Sequence, residues 1–171
     1  MSKKRKRKFR FFLAWQDRKE EDWLNEMAKQ GWMLKSFFLF IYTFEKTKPS
    51  NTVYRLDYKT TSNLDQEEYI HIYEDAGWKH VTQFLNWHYF AADPSQVQTN
   101  VIYTDRESEA EKYNGLLKVL YAALASVFLS SGLPILIIGI PGYFYWIAAF
   151  NLFVLCLLIV CILKVRRKTR I

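Results

Sequence analysis

No charged residue interrupts positions 119–163. As one helix rising ~1.5 Å per residue this stretch would run about 67 Å, more than twice the roughly 30 Å hydrocarbon core of a bilayer. It must therefore turn back on itself. The break falls at Gly139-Ile140-Pro141-Gly142, where Pro lacks an N–H and Gly accepts positive φ. The segments on either side, 116–138 and 143–163, are each long enough to span. Pro134 is expected to kink the first, its freed backbone groups being met by neighbours. The sequence thus predicts an all-α two-helix transmembrane hairpin.

Flanking charge orients it. Arg106, Lys112 and Lys118 precede the first segment, a basic tail (164–171) follows the second, and the connecting loop carries no charge. The excess of Lys and Arg on cytoplasmic flanks then places both termini in the cytoplasm, as expected of a membrane protein with two spans. Tyr143, Tyr145 and Trp146 would sit at the outer interface. Cys156 and Cys161 both fall in the apolar part and are expected to be reduced residues of a membrane helix. The basic start leads into 9–15 and a charged segment without a long apolar region, so no signal peptide is expected.

The formal net charge of +7 misdescribes the rest of the chain. Seven basic residues crowd the first ten positions and five more lie between Lys164 and Arg170. Between these ends the chain holds twelve basic and 17 acidic residues, so the body is acidic. This argues against a nucleic-acid-binding face. The N-terminal run instead suits an anionic inner leaflet, at about 1 kcal/mol per basic residue near the surface.

Ahead of the hairpin the sequence repeats itself at an offset of 46 residues. The run from Trp23 to Gly31-Trp32 aligns with Tyr69 to Gly77-Trp78, and Phe38, Leu39 and Phe44 align with Phe84, Leu85 and Phe90. Each copy reads as a helix, a Gly-Trp stop, a long aromatic strand, a polar loop and a short return strand. Trp23, Met27 and Gln30 share one helical face, as do Tyr69, Ile72, Tyr73 and Ala76. Gly31 and Gly77 suit the left-handed position that ends a helix, and the Trp after each can fold back onto the last turn. Segments 37–44 and 81–90 have the aromatic and β-branched content of strands, while 46–52 and 92–99 read as loops. Residues 53–58 and 100–103 supply the return strands, and 8–14 a first strand.

The expected organisation is a basic arm (1–7), an α+β domain (8–105) with repeats 18–58 and 64–105, a helical connector (106–115) and the hairpin (116–163). The order βαββαββ implies a ferredoxin-like tandem domain on one antiparallel sheet.

Trp23-Leu24-Asn25-Glu26-Met27-Ala28 with Gly31-Trp32, then Tyr42-Thr43-Phe44, Tyr54-Arg55-Leu56-Asp57-Tyr58 and Glu74-Asp75-Ala76-Gly77-Trp78, resemble the bacterial domain-of-unknown-function family 2812 (DUF2812) over about 8–105. The resemblance implies a soluble domain ahead of membrane helices and a regulatory setting beside PadR-like transcriptional regulators. It implies no catalytic residues.

Nor do the residues suggest any. His71, His80 and His88 lack the partners a metal site needs. There is no nucleophile motif, no phosphate-cradling glycine loop and no zinc-protease signature. Asp57 and Asp105 occupy similar places in the two copies, and the ordinary expectation is a strand-end turn or a pairing with Arg55. Neither a cofactor nor catalysis is expected, and neither is specific nucleic-acid contact, because the RNA-recognition aromatic motif is missing.

What stands out is aromatic content, 18% of the chain. Phe38, Phe40, Tyr42, Tyr54, Trp87 and Tyr89 form a candidate interface or ligand face, since an aromatic sheet face is not left bare in water. The expectation is a membrane-anchored, non-catalytic regulatory or sensing module whose cytoplasmic domain binds a protein partner, a second copy of itself or a small apolar ligand. The alternative is an accessory transporter subunit acting through its hairpin, where Ala122, Ala123, Ala125, Ser126, Ser130, Ser131 and Gly132 permit close helix packing.

Overall fold

The computed structural model describes residues 4–60, 63–97, 106–132 and 145–169. The chain divides into two compact units, Met1–Ser108 and Glu109–Ile171.

The first unit is α+β. Its elements are β1 (Arg5–Phe9), α1 (Asp17–Lys29), β2 (Trp32–Phe38), β3 (Ile41–Lys46), β4 (Val53–Tyr58), α2 (Asn63–Asp75), β5 (Lys79–Phe84) and β6 (Trp87–Ala92). The strands form two antiparallel three-stranded sheets, β1-β3-β2 and β4-β6-β5. Each sheet with its helix is a strand-helix-strand-strand unit whose third strand lies between the other two. The repeat therefore begins one strand earlier than the helix-first copies expected from sequence. A single ferredoxin-like sheet is not what the described strands form.

The difference has a local cause. Segments 37–44 and 81–90, expected as long strands, are hairpins. Leu39 and Phe40 take positive φ (41° and 67°), and Leu85 does the same (53°) in the second copy. Positive φ at both central residues is the mark of a primed hairpin turn, normally filled by Asn or Gly. Bulky residues there cost about 1–3 kcal/mol each. The first strand also lies further upstream, at Arg5–Phe9 rather than 8–14, so part of the basic arm is strand. The return strand expected at 100–103, and Asp105, lie outside the described residues.

Other repeat features hold in detail. Both helices span the same positions 46 residues apart. Both hairpins carry a bulge at the equivalent place, at Lys35 and at Val81. Gly31 and Gly77 have φ of 76° and 88°. At the end of α2, Gly77 N–H donates to Glu74 O and Trp78 N–H to Tyr73 O, each over 2.9 Å, the paired bonds of a Schellman motif. Trp78 then buries with Phe90 and Ala92, against Tyr69 and Tyr73.

The larger core is shared by both sheets. Leu24, Met27 and Ala28 of α1 meet Leu34, Tyr42 and Phe44 of the first sheet and Tyr54, Leu56, Tyr89 and Ala91 of the second. Strand β6 is thus covered on both faces, His88 and Phe90 on the α2 side and Tyr89 and Ala91 on the α1 side. The edge strands β2 and β5 lie in contact without pairing, and Phe84 meets Phe37 and Phe38 with ring centroids 5.4 and 5.5 Å apart.

The second unit begins within α3 (Arg106–Val127) and holds a π-helical turn (Phe128–Gly132) and α4 (Tyr145–Thr169). The turn at 139–142 and Pro134 lie outside the described residues. Two stretches, Ala110–Ser130 and Ala148–Lys168, are long and apolar enough to cross a membrane, with mean hydropathies of 1.3 and 2.6. Only 17% of each is buried, unlike a core helix of a soluble protein. Lys168 Nζ donates to the Tyr113 hydroxyl over 2.9 Å, which brings the first half of α3 to the end of α4. Cys156 is exposed and Cys161 buried, and both are free thiols.

Candidate functional site

The buried stripe of α1 begins with acids. Asp17, Glu20 and Glu21 are buried with Leu24, Met27 and Ala28, spaced three and four apart as one helical face requires. Glu20 sits where the two sheets converge. The hydroxyls of Tyr42 on β3 and Tyr89 on β6 both donate to its Oε1, each over 2.7 Å. Hydrogen bonds to a carboxylate are shorter and stronger than neutral ones. Burial, reinforced by the Glu20 charge, raises the ionisation of both tyrosines well above the usual phenol range. Both therefore remain donors at any physiological pH.

Above this carboxylate lies a partly open cavity of about 290 Å³. The loop after β1 supplies Phe11, Phe12, Leu13 and Ala14; α1 supplies Asp17 and Glu20. The first sheet adds Phe37, Phe40 and Tyr42, and the second Leu56, Phe84, Leu85, Trp87 and Tyr89. Local folding explains the wall. Leu13 N–H donates to Gln16 Oε1 over 3.0 Å and Gln16 N–H to Leu13 O over 2.7 Å, a tight turn that leads into α1 and sets 11–14 along the cavity wall. The Arg10 guanidinium packs over the Phe12 and Trp23 rings at 5.1 and 4.9 Å. An apolar enclosure with a few convergent polar groups is the usual form of a small-molecule site.

Two other α1 side chains close the edge of β4. Tyr54 N–H donates to Asn25 Oδ1 over 2.6 Å, and Leu56 N–H to Glu21 Oε1 over 2.8 Å. The Tyr54 hydroxyl reaches across to accept Leu34 N–H over 3.0 Å, and burial pushes its ionisation up to about 12.

A second carboxylate is built in parallel. Asp57, buried on β4, accepts the hydroxyls of Tyr69 (2.6 Å) and Tyr73 (3.0 Å) from α2. Beside it His88 is fully buried, its ring 5.5 Å from His80 and 4.9 Å from Tyr69. Burial, then the proximity of His80, lowers His88 to about 4, against the smaller opposing pull of Asp57 and the Lys59 backbone. Burial lowers His80 as well. His71 lies exposed on α2, with Nδ1 3.7 Å from Glu74. Among the described residues no three His, Cys, Asp or Glu side chains group as metal ligands do.

The structure divides the aromatic face expected from sequence. Tyr42, Tyr54 and Tyr89 are buried among the two sheets and α1, and Trp87 packs against that core. Phe38 is exposed and Phe40 half-exposed at the first hairpin tip. Tyr42, Tyr89, Trp87 and Phe40 all line the cavity; Phe38 and Tyr54 do not. Sequence reasoning missed Asp17, Glu20, Glu21 and Asn25. For the three acids the available signal was spacing, which continues the Leu24–Met27–Ala28 stripe by one and two turns; Asn25 lies beside that stripe, four residues after Glu21 and three before Ala28.

A family model described as protein of unknown function (DUF2812) matches residues 16–125. The match starts at α1 rather than residue 8 and runs on into α3, beyond the 105 expected from sequence. No curated protein and no solved structure matches the chain. The family match covers most of α1 through α3, including Glu20, Tyr42, Tyr89 and Asp57, and the chain belongs to the DUF2812 family.

Proposed function

We propose that the chain is a membrane-anchored, non-catalytic sensing module whose α+β unit binds a small apolar ligand in the cavity over Glu20. The observation that carries this reading is the cavity itself, aromatic walls drawn from both repeats over the buried Glu20 carboxylate that both sheets grip. Occupancy would be felt by both sheets at once, because Tyr42 and Tyr89 share a single acceptor. The two long apolar helices support anchorage as a two-span protein of a bacterial cell membrane, and the basic flanks support cytoplasmic termini.

The test is photolabelling of the full chain in lipid nanodiscs with a short alkyl diazirine, mapped by mass spectrometry. Labelling is expected at Glu20 and Tyr89, and it should disappear in Ala14→Trp, which fills the cavity from its half-buried wall. Equal labelling in the variant, with the melting temperature retained, rules the site out.

A second reading, an accessory transporter subunit, draws on the π-helical turn at Phe128–Gly132, since such turns recur at functional sites in helices. Replacing 109–171 by an unrelated two-span anchor separates the two: retained ligand labelling and retained cellular phenotype exclude the hairpin as the working part.

A further inference from the structure

Among the described residues of the first unit, the exposed large apolar side chains are Phe9, Phe11, Phe38, Leu39, Ile41, Leu85 and Ile72. All but Ile72 gather at one end, on the tips of the two hairpins and the end of β1. Strand pairing explains the grouping. Phe9 lies opposite Ile41, and Ile41 opposite Phe38, in one cross-strand row. Phe40 sits between Phe9 and Phe11, ring centroids 6.4 and 4.8 Å away. Leu85, 74% exposed, is the tip of the second hairpin, which meets the first through Phe38 and Phe84.

Two further observations identify what covers this end. Leu39, Phe40 and Leu85 stand at positive φ, where Asn or Gly would be the unstrained choice. Bulky apolar residues there work against hairpin stability, so the hairpins themselves do not account for them. The second observation is charge. Alternation along β1 puts Arg5 and Arg7 on the same face as Phe9. Both arginines are exposed, and the facing β3 residues are Glu45 and Thr43. Apolar tips beside a basic strand match a bilayer surface with anionic headgroups, apolar groups entering the interface and arginines meeting phosphates.

We propose that the hairpin tips at Leu39-Phe40 and Leu85, with Phe9, Phe38 and Ile41, dock into an anionic membrane leaflet, held there by Arg5 and Arg7. This rests on the membrane anchorage proposed above, which holds the unit near a bilayer at high effective concentration. It also gives the cavity a source of ligand, because Phe40 and Leu85 belong to both the docking surface and the cavity wall.

The test uses the full chain with Cys156→Ala and Cys161→Ala, carrying an environment-sensitive probe at Leu39→Cys, in nanodiscs of phosphatidylcholine with or without phosphatidylserine. With phosphatidylserine the probe should be quenched by doxyl groups high on the acyl chains and protected from iodide. A matching probe at Ile72→Cys should behave in the opposite way. Arg5→Gln with Arg7→Gln should lower the ratio of docked to undocked protein on the order of tenfold. Iodide quenching without lipid quenching means the tips stand in water, and protection from both quenchers means a second copy or a protein covers them. Either overturns the proposal, as does equal lipid quenching in both lipids, which removes the anionic requirement. Failure of the chain to co-elute with the discs overturns the anchorage reading separately. Vesicle flotation with the same lipids then decides docking, and absence from the floating fraction overturns it.

Discussion

Tyr42 and Tyr89 belong to different sheets and donate to the same oxygen of Glu20, each over 2.7 Å. Removing either hydroxyl leaves the buried carboxylate short of a donor, and hydrogen bonds to charged groups contribute about 1.5–3 kcal/mol. Tyr42→Phe and Tyr89→Phe should each destabilise by that amount. The double variant should depart from the sum, since both act through one acceptor. Denaturant titration of the full chain in nanodiscs, read by tryptophan fluorescence, measures the cycle, and strict additivity would show that the carboxylate does not couple the sheets.

His88 should make the unit acid-sensitive. Its pKa is lowered to about 4 from 6.5, so between these values the unfolded chain binds a proton that the folded chain refuses. Stability then rises with pH across that window and falls as pH drops from about 6.5 towards 4. The full effect is about 3 kcal/mol, at 1.36 kcal/mol per pH unit. His80, lowered by its own burial, acts in the same direction. His88→Phe should flatten most of the slope in melting temperature between pH 4 and pH 6.5; an unchanged slope would assign it elsewhere.

Asn25→Ala withdraws the acceptor from Tyr54 N–H on β4. The unpaired buried donor costs about 1–3 kcal/mol, and an uncovered strand edge invites pairing with another chain. The expected outcome is a lower melting temperature together with faster amide exchange at 53–58. Exchange unchanged in that segment would mean that α1 does not protect the edge.

A Cβ at Gly31 would lie 2.7 Å from Thr47 O, and one at Gly77 2.8 Å from Gln96 O. Both contacts are with backbone, and both residues need positive φ. Gly31→Ala and Gly77→Ala should each destabilise by more than about 1 kcal/mol, with the loss visible as a reduced melting temperature.

Much of the architecture is legible in the residues because it is written twice. The 46-residue offset by itself locates both helices, both glycine stops and the fold-back of Trp78. The hairpin turns are hidden because Leu39-Phe40 and Leu85-Asn86 carry almost none of the turn chemistry that marks a break, so two short strands read as one long one. The first strand is hidden by its charges: Arg5–Phe9 looks like a solvated arm until pairing with β3 gives it a face. The site is harder still. Glu20 and Glu21 fall on an apolar stripe, and in a sequence an acid on a helix is read as its wet side. Only the two tyrosine hydroxyls, which come from strands 47 positions apart, show why a carboxylate belongs there.

The shielding of β4 by Asn25 and Glu21 has a consequence for how alike the two copies are. If the repeats were identical, α2 would offer the same acceptors to a following strand. The positions 46 residues on are Glu67 and His71, both exposed, and among the described residues neither plays that part. Among the described residues, then, only α1 closes a strand edge of its neighbour, and the two copies are not interchangeable despite their common element order.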